Sequence, residues 1–289
     1  MVSVRIPVLQ QKSQPMALLD RMPWAAGISF LSFGVRIGIR STSPELLEQA
    51  LPLLPRARKV AAYPVVDRLY SIVAGAPLHS KTGEPYRLYG DTKTLIRTSH
   101  RQPLLDKLEH DLNFNIAKSS TKLLFVHSGA VGWKGRAIVF PAGSFSGKSA
   151  LTKEFLLLGA EYYSDEFTVF DPQGRVHPFP RRLCLRDEVG DQTYVHFSKF
   201  GARAGTIPLP VGLFVMTRYK PGTTWHPRIG TYGESVLELL SHSVLGRTHH
   251  ERALSTFQKA LQHAFILDGL RGNGRDAAVS MLQLLDRLK

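Results

Sequence analysis

The sequence predicts an α/β protein in two parts: a smaller α+β domain over about residues 1–118 and a C-terminal domain over 119–289. Two observations carry this. From residue 123 onward, short apolar runs alternate with segments of helical spacing, the pattern of a sheet covered by helices. Before residue 118 the strand-like runs cluster first and a long amphipathic segment follows, which is α+β order. Length agrees, since 289 residues correspond to roughly two domains at about 150 residues each.

Residues 1–22 read as an irregular arm. Ala25–Ile39 (AAGISFLSFGVRIGI) is rich in β-branched and aromatic residues and reads as one or two strands. Ser43-Pro44-Glu45 opens a helix: a serine side chain caps free N–H groups, proline suits the first turn, and the glutamate opposes the helix dipole. That helix is expected to run to Leu54, before Pro55. Strands follow near Asp67–Val73 and Tyr86–Gly90, separated by a turn-rich loop. Leu104, Leu105, Leu108, Leu112 and Ile116 recur at helical spacing and place a helix over Gln102–Lys118. The domain boundary is expected near Ser119-Ser120.

In the second part, strands are expected at Leu123–His127, Ala137–Phe140, Glu161–Ser164, Phe167–Phe170, Val211–Thr217 and Phe265–Gly269. Helices are expected at Lys148–Leu158, Gly233–Leu245, His250–Ala264 and Arg275–Leu288. Trp133-Lys134 reads as a hairpin turn.

Composition limits the function. Hydrophobic residues at 43% and charged residues at 21% are ordinary for a folded chain and exclude a disordered or collagen-like one. Lys and Arg number 37 against 23 Asp and Glu, giving a net charge of +14 that favours anionic partners such as nucleotides. The basic residues are spread rather than blocked, and no nucleic-acid module is recognisable, so nucleic acid is not an expected partner. No apolar stretch approaches 18 residues, and the first 15 contain no signal-peptide core, so neither a membrane span nor export is expected. The single cysteine, Cys184, leaves no intramolecular disulfide and fits a cytoplasmic setting. CxxC and HExxH spacings are absent, which removes the usual zinc motifs.

The most informative segment is Ala137–Ser149, AIVFPAGSFSGKS. A buried strand enters a small-residue loop, and Gly-Lys-Ser opens the helix. Phosphate oxygens need several N–H donors converging on one point, and a tight loop entering a helix N-terminus supplies them. Gly143, Ser144, Phe145, Ser146 and Gly147 are the expected cradle for nucleotide phosphates. Lys148 is placed to reach the β- and γ-phosphates, and Ser149 to offer its hydroxyl to Mg²⁺. Ala142 stands where the strict phosphate-loop pattern has glycine. The plain alternative is a Gly/Ser turn capping an ordinary helix.

Asp165 and Glu166 end the strand after this helix, where α/β sheets bind ligands. Consecutive acids on a strand point to opposite sides, so one is expected to support Mg²⁺ and the other to accept a proton from an attacking hydroxyl. Two water-facing acids are the plain alternative. His127 ends the strand before the loop strand; as a parallel neighbour it would open onto the same edge. Arg181, Arg182 and Arg186 are candidates for an anionic substrate, against the commoner fate of solvated surface arginines. Arg218 and Lys220 are weaker candidates of the same kind, and His249-His250 suits a helix cap.

Val126-His127, Ala142–Ser149 and Ser164-Asp165-Glu166 together resemble the catalytic domain of HPr kinase/phosphorylase. That family has a strand-end histidine, a phosphate loop and a consecutive acidic pair, typically Asp-Asp, at similar spacing. The wider wording around Phe125–Gly129, Tyr162–Phe167 and Val176–Pro178 is similar to HPr-kinase-related bacterial proteins, some of which accompany small PqqD-like peptide-binding proteins. The resemblance covers about residues 120–190. It implies a P-loop domain of the HPr kinase/phosphoenolpyruvate carboxykinase type, a homo-oligomer, and ATP with Mg²⁺ as cofactors. It implies Asp165 as the base for a serine-type hydroxyl, Glu166 and Ser149 on Mg²⁺, and His127 lining the transfer site. The Arg-Gly-rich signature of true HPr kinases is absent, so neither HPr as substrate nor the phosphorylase reaction is carried over. The expected activity is an ATP-dependent phosphotransferase acting on a hydroxyl of a protein, peptide or small molecule. A nucleotide-binding interaction protein with weak turnover and an ATPase switch are the alternatives.

Overall fold

The computed structural model describes residues 18–75, 85–141, 147–186, 192–245 and 250–288. Most of the expected N-terminal arm, much of the turn-rich loop after residue 75, Ala142–Ser146 and His249 lie outside the described residues. The chain is mixed α/β and divides into two compact units, Met1–Ser120 and Thr121–Lys289.

The first unit carries a six-stranded sheet in the order β3-β1-β2-β4-β5-β6. Its strands are β1 (Ala26–Ser32), β2 (Val35–Ser41), β3 (Arg58–Val60), β4 (Arg68–Ala74), β5 (Tyr86–Gly90) and β6 (Lys93–Thr98). The AAGISFLSFGVRIGI run is two strands, an antiparallel hairpin turning at Phe33-Gly34. β2 and β4 are parallel, and helix α1 (Pro44–Ala50) lies on the connection between them. Its cap is the expected one: Ser43 Oγ accepts from Leu46 N–H at 3.3 Å, with Pro44 in the first turn. The helix stops at Ala50 rather than Leu54, and Leu51–Leu53 tighten into one 3₁₀ turn. Pro52 supplies the reason, because it has no N–H to continue the α-helical ladder. Helix α2 (Arg101–Ser119) packs on β5 and β6 and buries the expected leucine stripe.

The second unit is built on an eight-stranded sheet. Its strands are β7 (Leu124–Trp133), β8 (Arg136–Pro141), β9 (Glu161–Ser164), β10 (Phe167–Phe170), β11 (Val176–His177), β14 (Val211–Tyr219), β15 (Arg228–Ile229) and β16 (Phe265–Arg271), while β12 (Leu183–Arg186) and β13 (Gln192–Val195) pair separately. The sheet order is β11-β10-β7-β8-β14-β16-β15, with β9 also on β7. β8, β14 and β16 are parallel and form the centre. β7 runs antiparallel to β8 through the tight turn at Lys134-Gly135, which corrects the expectation of parallel neighbours. β7 is also longer than expected, continuing past His127 to Trp133.

Among the described residues, four helices cover the sheet: α3 (Lys148–Leu157), α4 (Tyr232–His242), α5 (His250–Leu261) and α6 (Gly274–Arg287). Alternate residues of the central strands separate two apolar cores, as strand geometry requires. Ile138, Phe140, Leu213 and Val215 join Leu151 and Phe155 of α3 and Met281 of α6. Val139, Phe214 and Ile266 join Leu239 of α4 and Phe257 of α5. The result is a three-layer unit whose central strands are buried over most of their length.

Candidate functional site

β9 and β10 run along one edge of β7 as a single strand with a break. Ser164 pairs with Ala130 and Phe167 with His127, leaving Asp165 and Glu166 as the break between the two ladders. Ser164 Oγ secures the break by accepting from the N–H groups of Glu166 and Phe167. Glu166 O in turn accepts from Ser128 N–H at 3.2 Å. Ser128 is also the partner of Pro141, the last residue of β8, so the acidic pair lies level with the end of the loop strand.

Asp165 is 3% exposed, and both of its oxygens accept hydrogen bonds. Tyr162 Oη donates to Oδ1 at 2.7 Å, and Ser149 Oγ donates to Oδ2 at 2.7 Å. Burial and the facing carboxylate push the Tyr162 hydroxyl well above its ordinary range, so it remains a donor. Ser149 is the second residue of α3, and thus the structure joins the helix after the loop to the acid at the end of β9. Glu166 departs to the other side and pairs with Arg181, whose side chain is 5% exposed. That pair places one of the three candidate arginines at the site. Arg182 instead stacks its guanidinium 5.0 Å from the Tyr194 ring centroid, and Arg186 is exposed at the end of β12.

Lys148 opens α3 and is partly buried. Burial lowers its pKa to about 8, and the attraction of Asp165 only partly opposes this. The residue before it, Gly147, caps the helix at φ +78°, a backbone region that favours glycine. His127 sits one residue beyond the Ser128–Pro141 pair, with its ring 4.5 Å from that of Phe167. It therefore does lie at the edge where the loop strand ends, but because β7 is antiparallel rather than parallel. Gly143, Ser144, Phe145 and Ser146, the remaining expected phosphate donors, lie outside the described residues.

One residue of this site gave no sequence signal. Arg271, at the end of β16, is 3% exposed and donates from Nη2 to Gly147 O at 2.9 Å. Burial lowers its pKa, with Tyr219 acting in the opposite sense. A Cβ at position 147 would lie 2.7 Å from that Nη2 and would have to push the arginine aside, but the φ of +78° is the firmer demand for glycine. Two cations, Lys148 and Arg271, thus attend the start of α3, with Asp165 across from it. Such an arrangement can hold an anion at the helix N-terminus and present a fixed carboxylate beside it.

Ser149 Oγ and the carboxylates of Asp165 and Glu166 are hard oxygen donors of the kind that suit Mg²⁺, which takes one or two carboxylates and leaves further positions to phosphate oxygens. Among the described residues no cluster of three or more His, Cys, Asp or Glu side chains is arranged for a metal. No helix among them is long and apolar enough to cross a membrane. No protein-family model and no curated protein matches the chain.

Proposed function

We propose that the chain is a nucleotide-dependent phosphotransferase of the HPr kinase-like kind, with ATP as donor and a hydroxyl as acceptor. The observation that carries the reading is the 2.7 Å hydrogen bond from Ser149, in the Gly-Lys-Ser that opens α3, to Asp165 at the end of β9. A phosphate loop and a carboxylate are useful to one another only if the fold brings them together, and this contact spans 16 residues of sequence.

In this reading the N-terminus of α3 and Lys148 bind the β- and γ-phosphates. Arg271 holds the exit of the loop through Gly147 O. Ser149 and Glu166 are the residues that would hold Mg²⁺, which offsets charge on the transferring phosphoryl group when bound. Glu166, which pairs with Arg181, would have to release that arginine to hold the ion. Asp165 Oδ2 already accepts a hydrogen bond from one hydroxyl, that of Ser149; a substrate hydroxyl in that place would donate to the same oxygen and pass its proton there as it attacks. Tyr162 holds Oδ1 and so fixes the carboxylate plane. His127 lines the same edge. The first unit would recognise the acceptor, a PqqD-like partner being the peptide-binding candidate.

A second reading, nucleotide binding with little turnover, is favoured by the Glu166–Arg181 pair, which engages one of the two acids. Calorimetry with Mg²⁺ and ATP on wild type and Lys148→Ala, followed by analysis for transferred phosphate, tests both. Binding that Lys148→Ala weakens, with phosphate transferred to an acceptor, supports the kinase. Binding with neither transfer nor hydrolysis supports the second reading. Absence of nucleotide binding by the folded chain overturns both.

A further inference from the structure

On the opposite face of β14 and β16, and at the same end of these parallel strands, lies a concave site of about 570 Å³ that the phosphate loop does not account for. Arg218, Thr223, Thr224, His226 and Arg228 line it around Asp268. Asp268 is 7% exposed and organises the arginines. Its Oδ2 accepts from Arg228 Nε at 3.0 Å and Nη2 at 2.7 Å, and its Oδ1 lies 3.5 Å from Arg218 Nη2. The two guanidinium side chains are nevertheless 72% and 74% exposed. Neither has another hydrogen-bond partner among the described residues, and Glu234 adds only a weaker, longer-range attraction on Arg228.

The hydroxyls of Thr223 and Thr224 and the ring of His226 likewise have no side-chain hydrogen bond among the described residues. These donors are nonetheless held in place. Trp225, between them in the chain, is buried in the core on the α3 side. The loop also lies so close to the end of β16 that a Cβ on Gly272 would approach Thr223 O to 2.3 Å. Arg228 is fixed by the pairing of β15 with β16. Two cations against one carboxylate leave an excess positive charge. A carboxylate ligand would use one guanidinium fork, whereas two forks, two hydroxyls and an imidazole match the several oxygens of a tetrahedral anion.

We propose that this is a second anion site, taking a phosphate or phosphomonoester group. It stands independently of the kinase reading, because none of its residues belongs to the loop or to the acidic pair. The test is calorimetric titration with inorganic phosphate, and with acetate in parallel, on the full chain and on Lys148→Ala, with the Leu270 and Thr224 amide resonances followed by NMR to locate binding. Phosphate is expected to shift these amides in both proteins. Arg218→Gln and Arg228→Gln are each expected to weaken phosphate about tenfold. Arg228→Gln also disturbs the buried Asp268, so Thr224→Val, which leaves that carboxylate paired, provides a second variant expected to weaken phosphate severalfold. No binding of phosphate at 10 mM (about the upper end of a useful titration) overturns the proposal. So does unchanged affinity in the Arg218→Gln/Arg228→Gln double variant, and so does acetate binding as tightly as phosphate.

Discussion

Each unit buries a tyrosine whose hydroxyl donates to an aspartate, and the two are finished differently. In the first unit Tyr70 donates to Asp111 at 2.9 Å, and Arg68 bridges Asp111 and Asp91 at 3.2 and 2.6 Å. Burial acts against the Arg68 charge, yet Tyr70 and Asp91 outweigh it, and its pKa is raised. In the second unit Tyr162 donates to Asp165, but the other oxygen accepts from a serine hydroxyl at a helix N-terminus, and the nearby cation, Lys148, has its pKa lowered because burial outweighs Asp165. The first arrangement brings a cation to two carboxylates and stabilises its own charges. The second keeps a desolvated lysine whose burial outweighs the pull of Asp165, which costs stability and suits a site that binds an anion.

Asp165→Asn is the substitution with the largest expected effect. In the kinase reading it lowers phosphate transfer by about 10²- to 10⁴-fold while nucleotide affinity stays within a few-fold. Asp111→Asn is its counterpart: calorimetry should find nucleotide binding unchanged, with stability reduced by about 1–3 kcal/mol in urea denaturation. If Asp111→Asn abolished nucleotide binding in the folded protein, the contrast between the pairs would collapse. Next, Lys148→Ala is expected to weaken Mg²⁺–ATP on the order of 10- to 100-fold.

The pH dependence sharpens the same point. Lys148 loses its proton near pH 8 in the folded chain and near its ordinary 10.5 when unfolded. Below pH 8 both states are charged and the folded state carries the full cost of the buried ammonium. Between these values the unfolded state binds more protons, so this lysine's contribution to stability rises with pH. Nucleotide affinity, which needs the ammonium, should fall as pH rises above about 8, and Lys148→Met should flatten both trends in calorimetric and thermal-melting series. The smallest effect is expected at a residue that belongs to neither pair: Ser43→Ala removes the cap of α1 and should cost about 1 kcal/mol, with no change in nucleotide binding.

The local part of the candidate site was legible in the sequence. Gly-Lys-Ser opening a helix and an acidic pair following the next strand are each set by neighbours in the chain. Ser43-Pro44-Glu45 was legible for the same reason, and so was the leucine stripe of α2. What escaped depends on residues distant in sequence. Arg271 meets Gly147 across 124 positions, and no periodicity marks it. The direction of β7 against β8 followed from a turn read as a hairpin while its strand was ended too soon, at His127. β3, β11 and β15, of two or three residues each, are too short to show alternation. The two acids point to different partners, as expected of neighbours on a strand, but the identity of those partners, Ser149 and Arg181, is not written in the local sequence.

The bond from Arg271 to Gly147 also has a meaning in time. During synthesis β8 and α3 leave the ribosome long before β16 does, and domains generally assemble as units when their distant partners arrive. A nascent chain halted before Phe265 would contain the whole loop, the lysine and both acids, but not the arginine that fastens the loop's exit. Competence to hold a ligand would then be acquired late and abruptly, when the last parallel strand docks. Ligand capture by chains of increasing length would serve as a clock for completion of the sheet.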